Sequence, residues 1–187
     1  MNFMKLKYNL DISDYVVNET YISYGLTDNK IFKGITYSKI DTLFKSKIYS
    51  LIPEEHQKHF SMSVMELNWT IPPHTDSIIT TTINFYVMTG NCVTQFYKLK
   101  SDIVKPKPPN WVPPTQTTGR MFSLDELDEV DNFVANPGEI YLLDVTKPHS
   151  VRRPPNVEFV DRIAVCLQSS KFNFDETVQL LKSTGNL

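Results

Sequence analysis

Hydrophobic residues in this chain recur mostly at spacing two, broken by Pro, Gly and Asn, and that pattern predicts a protein built of short strands. Met4, Leu6, Tyr8 and Leu10 alternate as in a strand with one buried face. Tyr15 to Tyr24 is rich in β-branched and aromatic residues and predicts one or two more strands. The period changes from Tyr37 to Leu51, where Ile40, Leu43, Phe44, Ile48 and Leu51 fall on one helical face, stopped by Pro53. From Ser61 strand follows strand. Met62, Val64 and Glu66 alternate with Ser63, Met65 and Leu67, and Pro72-Pro73 is expected to break that ladder just before His74. Ile78 to Met88 is a long β-branched run, Thr89-Gly90-Asn91 a turn, and Cys92 to Leu99 a returning strand, which together predict a hairpin.

The second half continues in the same way. Five prolines between Lys105 and Thr118, around Trp111, predict a surface loop. Leu124 to Asp131 is acidic and reads as a short helix or turn. Asn136-Pro137-Gly138 is a turn before a strand from Glu139 to Val145, and Pro154-Pro155-Asn156 a turn before a last buried strand, Arg162 to Gln168. Phe174 to Lys182 predicts a short helix capped by Asn173 or Asp175. So many short strands argue for a sandwich or barrel over a βαβ fold: a mainly β protein with a jelly-roll core and flanking helices. The 187 residues are expected to form a single domain. Residues 1–60 would pack strands and a helix on a core at 61–170, with a C-terminal helix at 171–187.

Composition narrows the functional classes. A net charge of −2 with scattered basic residues, only Arg152-Arg153 adjacent, gives no support to nucleic-acid binding. No apolar run reaches the length of a membrane span, and Met1 to Lys5 does not begin a signal peptide. The two cysteines, Cys92 and Cys166, sit in apolar surroundings and read as buried thiols, so a reducing, cytoplasmic location is expected.

The chemistry concentrates in two short segments, Pro73-His74-Thr75-Asp76 and Pro148-His149-Ser150-Val151. On an extended backbone His74 and Asp76 point to one face, so both could reach one ion. His149 lies 73 residues after Asp76 and must come from a strand adjacent in space. Two imidazoles and a carboxylate on one face of a metal is the ligand set of non-haem Fe(II) oxygenases. Alone, His-x-Asp says little, because a surface turn with a solvated His and a capping Asp would look the same. His56 and His59 lie in a charged segment and read as exposed polar residues. Arg162 opens an apolar strand, where a guanidinium is costly without a partner. Asp161, Asp144 or Glu66 could pair with it, and so could the carboxylate of a ligand.

Together these residues resemble the 2-oxoglutarate- and Fe(II)-dependent oxygenases. That family carries His-x-Asp/Glu, a distal His, and an Arg or Lys about a dozen residues further on. The matching positions are His74-Thr75-Asp76, His149 and, thirteen residues later, Arg162. Gly138 to Asp144 ahead of Pro148-His149-Ser150-Val151 is similar to the family's strand-turn-His stretch. The resemblance covers roughly residues 61–170 and points to small stand-alone members of phage and marine microbial type. Two departures stand out: Glu66 to Pro73 lacks the Tyr-rich approach of the prolyl-hydroxylase group, and Ala164 stands where several groups have Ser or Thr.

The resemblance implies a double-stranded β-helix in which His74, Asp76 and His149 bind Fe(II) and Arg162 anchors 2-oxoglutarate. Thr82, Asn84 and Tyr86, on one strand face, would also contact the cosubstrate, although ordinary cross-strand packing explains them equally. The implied reaction uses O2 to hydroxylate a C–H bond of a protein, peptide or small molecule. The alternatives are a cupin-like metal enzyme that does not use 2-oxoglutarate and a non-catalytic jelly-roll binding or structural protein. The proline-rich loop around Trp111 and the segment from Lys147 to Pro155 are expected to border the site mouth.

Overall fold

A computed structural model describes residues 1–9, 11, 22–25, 34–39, 45–101 and 118–187. Among them the chain is mainly β, with twelve strands and three short helices: β1 (Phe3–Lys5), β2 (Ile22–Gly25), β3 (Ile35–Lys39), α1 (Lys45–Tyr49), α2 (Glu54–Gln57), β4 (Phe60–Leu67), β5 (Ile71–Asp76), β6 (Thr81–Met88), β7 (Val93–Leu99), β8 (Thr118–Met121), β9 (Leu127–Val134), β10 (Ile140–Leu143), β11 (His149–Arg152), β12 (Arg162–Ser169) and α3 (Phe174–Ser183). No helix among these residues is long and apolar enough to cross a membrane.

The strands form two antiparallel sheets. The larger has the order β1-β10-β6-β12-β4-β3-β2 and the smaller β8-β5-β11-β7-β9. Alternation along the central strands gives the larger sheet two buried faces. Val64, Ile83, Phe85, Leu142, Val165 and Leu167 meet Ile48, Leu51, Val178 and Leu181 on the helix side. Met65, Tyr86, Tyr141, Ala164 and Cys166 meet Ile71, Phe96, Phe133 and Val151 of the smaller sheet. Phe133 and Tyr141 stack across the gap at 4.0 Å. Each large aliphatic side chain buried in these layers contributes roughly 1.5–3 kcal/mol.

Helix α3 forms as its sequence dictates. The Asn173 side chain accepts from the Glu176 N–H at 2.9 Å, and the Glu176 carboxylate accepts from the Asn173 N–H at 2.8 Å, a reciprocal cap. Phe174, Thr177, Val178 and Leu181 then share the buried face.

Several expectations are corrected. Tyr37 to Lys39 is strand, its Tyr37 and Ser38 paired with β4, and among the described residues the helix covers Lys45–Tyr49; residues 40–44 lie outside the described set. The turn at Thr89–Cys92 forms, with positive φ at both Gly90 and Asn91 and the Cys92 N–H bonded to the Thr89 carbonyl. Yet β6 and β7 do not pair. Each belongs to a different sheet, so the turn is a corner and not a hairpin. Leu124–Glu126 is a 3₁₀ turn as read, but the acidic run continues as β9, at the rim of the smaller sheet, where exposed charge discourages edge pairing. The loop around Trp111, Leu10 and most of the stretch from Tyr15 to Tyr24 lie outside the described residues, apart from β2 and Thr118, the first residue of β8.

Pro72 and Pro73 do not end a strand either, because they sit inside β5. Pairing with β11 jumps from His74↔His149 to Ile71↔Val151, so two prolines oppose the single residue Ser150. In such a bulge no ladder N–H is required of them.

Half-buried Glu139 ties β1 to the turn before β10. It pairs with Lys5 and accepts from the Asn136 N–H at 2.9 Å, the Asn136 amide at 3.1 Å and the Tyr141 hydroxyl at 3.1 Å. Burial pushes its carboxyl up, but these donors outweigh it and pull it to about 2. A carboxyl depressed from 4.5 stabilises the fold above that pH and loses its effect as pH falls toward about 2. Glu139→Gln should therefore lower the unfolding midpoint at pH 7, and the gap from the parent should close as pH drops from 5 to 2 in thermal melts.

Candidate metal and anion site

The site begins with one register. Antiparallel pairing of β5 and β11 sets His74 directly opposite His149, and their rings lie 4.4 Å apart between centroids. The Nδ1 of His74 lies 2.9 Å from the Pro72 carbonyl, and that of His149 lies 2.9 Å from the Lys147 carbonyl. A carbonyl can only accept, so each imidazole donates Nδ1–H, which leaves Nε2 as the ring nitrogen that carries the lone pair. The proline bulge is what leaves the Pro72 carbonyl available for this. Asp76 follows two residues after His74, its Oδ1 3.6 Å from His74 Nε2. One ligand atom each from His74, Asp76 and His149 lies within 4.8 Å of the others, a group that could hold a metal ion.

The electrostatics agree with that use. Burial, then the neighbouring His149, lowers His74 to about 3 against its backbone hydrogen bonds to Pro72 and with His149, and burial lowers His149 too. Both rings are therefore neutral, the state that binds metal. Burial raises the Asp76 carboxyl to about 8, with no cation among the described residues to offset its charge. A divalent ion would supply that cation.

Arg162 faces the same space from the larger sheet and is 2 % exposed. Its Nη2 donates to the Tyr86 hydroxyl and to Thr94 Oγ1, both at 3.2 Å, and its guanidinium carbon lies 5.0 Å from the Tyr86 ring centre. Its Nη1 is buried with no hydrogen-bond partner. Asp161, Asp144 and Glu66 do not pair with it, and among the described residues no carboxylate does. A buried guanidinium with neutral neighbours and an orphaned nitrogen fits an anionic ligand better than a structural ion pair.

Of the remaining expected residues, Tyr86 reaches the guanidinium directly. Thr82 and Asn84 lie on the same face, and the Thr82 hydroxyl donates to Asn84 Oδ1 at 2.9 Å. His56 and His59 sit apart from this group, edge-on to Phe172. Arg152 bonds to Gln95 and Glu129, and Arg153 to the Glu158 carbonyl.

Tyr37 and Thr94 were not anticipated. Tyr37 packs against the core between the sheets, and its hydroxyl is pushed far above the usual phenol range by burial, then by Cys166 and Asp76, with Arg162 opposing. Ile35 and Tyr37 at spacing two were the available strand signal, overridden by the helical period that follows. Thr94 had no local signal; only the corner at Gly90 brings it to Arg162.

No family sequence model matches the chain, and no curated protein sequence matches it. Solved structures do match. The non-haem α-ketoglutarate-dependent epimerase SnoN from nogalamycin biosynthesis aligns with a TM-score of 0.50 at 11% identity, over 90% of this chain and 78% of its own. A vicilin of Corylus avellana (hazelnut) aligns at 0.38 and 9% identity, over 73% of this chain, which spans 28% of the vicilin. An L-ribose isomerase of Acinetobacter sp. DL28 aligns at 0.35 and 14% identity, over 72% of this chain and 57% of the isomerase. At these identities the likeness concerns the fold, and the SnoN alignment alone of the three is close enough to carry it.

If Arg162 receives a ligand anion, it is not a stabilising element of the ligand-free fold. Arg162→Met should then change the unfolding free energy in urea by less than about 2 kcal/mol, or raise it. Breaking a structural buried ion pair would instead cost about 3–5 kcal/mol.

Proposed function

We propose that this protein is an Fe(II)- and 2-oxoglutarate-dependent oxygenase of hydroxylase type, built on a double-stranded β-helix. The observation that carries the reading is the pairing of a His74–Asp76–His149 group on one sheet with an unpaired, buried Arg162 on the other. The strand order supports the fold assignment. β4-β12-β6-β10 faces β5-β11-β7-β9, which is two interleaved four-stranded sheets, the chain crossing between them at every step except from β7 to β9. The fold likeness to SnoN agrees with it.

The donor set suits the metal. Two neutral imidazoles and one carboxylate on one side leave further positions for ligands, as non-haem Fe(II) sites require. Backbone carbonyls hold both rings, so the ligands are oriented before the ion arrives. Asp76 would contribute the negative charge that partly neutralises the ion. Arg162 would take the far carboxylate of 2-oxoglutarate through Nη1, while Tyr86 and Thr94 hold Nη2 in place. Of the three β6 residues Tyr86 would serve the cosubstrate, while Thr82 and Asn84, further from Arg162 on the same face, would lie beyond it. When bound, Fe(II) and 2-oxoglutarate supply the oxidising chemistry: O2 is consumed, 2-oxoglutarate becomes succinate and CO2, and a substrate C–H bond gains a hydroxyl. The aromatic floor formed by Phe96, Phe133 and Tyr141 keeps water from the inner end of the space. Two free, buried cysteines suit a cytoplasmic enzyme, and the substrate would be a protein or peptide side chain or a small molecule.

Anaerobic titration with Fe(II) should give a metal-to-ligand absorption band only when 2-oxoglutarate is added. Asp76→Ala and His149→Ala should lose stoichiometric iron and turnover. Arg162→Ala should keep iron yet bind 2-oxoglutarate about 10- to 100-fold more weakly. Undiminished turnover in Arg162→Ala would favour a metal enzyme that does not use 2-oxoglutarate, and full activity in Asp76→Ala would sink the metal assignment.

A further inference from the structure

The larger sheet presents an unusual wall to the space between the sheets. On β4, Met62 and Val64 pack toward the helices and Met65 and Leu67 toward the smaller sheet, so Ser61 and Ser63 face the intersheet space. The same alternation turns Gln168 inward after Ala164 and Cys166 on β12, and Thr82 and Asn84 inward before Tyr86 on β6. The register then sets these residues side by side. Cys166 pairs with both Ser63 and Asn84, and Gln168 with both Ser61 and Thr82. Two adjoining rows result, Ser63–Cys166–Asn84 and Ser61–Gln168–Thr82, without an acidic or basic group among the six.

The rows look across to the strands that carry the candidate metal ligands, since Cys166 packs in one cluster with Ile71 of β5 and Val151 of β11. They stand apart from the Arg162 guanidinium: Cys166 and Gln168 lie roughly 13 and 20 Å along β12 from Arg162, at about 3.3 Å per residue. Their hydrogen bonding is also incomplete. Ser63 Oγ is buried without a partner. Asn84 is 5 % exposed, and its Oδ1 is taken by Thr82, while its amide nitrogen has no protein acceptor among the described residues. Gln168 makes no side-chain hydrogen bond among them either.

We infer that this wall is the primary-substrate subsite and that it takes an uncharged hydrogen-bonding group, a carboxamide or a hydroxyl, in preference to an acidic or basic one. The inference rests on the oxygenase reading above. A carboxylate or ammonium set against the wall loses its water and gains no counter-charge. A purely aliphatic group leaves Ser63, Asn84 and Gln168 dry and unbonded. A carboxamide or hydroxyl both donates and accepts, and completes them.

The test uses the full chain loaded with Zn(II), which is redox-inert, and 2-oxoglutarate. Four probes share one scaffold, the N-acetyl N-methylamides of asparagine, serine, aspartate and lysine, and binding is read by saturation-transfer NMR. The asparagine and serine probes should bind, with the aspartate and lysine probes at least tenfold weaker. Gln168 is partly exposed, so Gln168→Lys should fold, and it should move the preference to the aspartate probe by at least tenfold. Gln168→Glu should move it to the lysine probe. Equal binding of a charged probe to the parent protein, no binding of either neutral probe, or a ranking unmoved in both Gln168 variants overturns the inference. The Fe(II) and 2-oxoglutarate absorption band, recorded anaerobically on a metal-free portion of the same protein loaded with Fe(II) in place of Zn(II), separates the two failures. A band with the wrong ranking overturns only the substrate class, and a missing band overturns the oxygenase reading beneath it.

Discussion

The pairing of β5 with β11 governs the rest of the site. It sets His74 opposite His149, and a one-residue slip would turn one imidazole to the other face of the sheet. The diproline bulge fixes that register and releases the Pro72 carbonyl, which then holds the His74 ring. On β11 the turn residue Lys147 does the same for His149. Two prolines that would weaken an ordinary central strand here orient the His74 imidazole, because the backbone groups they leave out of the ladder are put to use.

The second constraint is the burial of charge without compensation. Asp76 on one sheet and Arg162 on the other are both largely withdrawn from water, and among the described residues neither has a partner of opposite charge to neutralise it. Such groups weaken a fold and persist where a ligand completes them. The surrounding structure tolerates them because the larger sheet is anchored elsewhere. Its outer face is buried under the helices, and the aromatic stack of Phe133 on Tyr141 ties the two sheets together. Stability and chemistry are thus carried by opposite faces of the same strands: Ile83 and Phe85 toward the helices, Asn84 and Tyr86 toward the site.

Much of the local structure was legible. The alternation from Met62 to Leu67 gave β4, the Asn and Gly turns gave the strand ends, and Asn173 with Glu176 gave the cap of α3. The misreadings have physical causes. Tyr37 to Lys39 adjoins a helical period and was absorbed into it, although pairing with β4 makes it strand. A tight turn at Gly90-Asn91 has the same local chemistry whether its strands pair or part into two sheets, so the corner read as a hairpin. The acidic run at Leu127–Val134 lacks an apolar alternation because an edge strand buries little.

Residue types and their order were determined by the sequence alone: two imidazoles, a carboxylate and a guanidinium, each beside a strand signal and in the sequence order of a metal oxygenase. Local rules sufficed because periodicity and turn chemistry act over a few residues. Whether the four residues share one space was decided by the tertiary structure. Asp76 and His149 lie 73 positions apart, and the contact between their strands depends on sheet order, which no local pattern encodes. The absence of a carboxylate beside Arg162 is likewise a property of packing. The sequence offered three candidate partners, and only the fold showed that none of them reaches it.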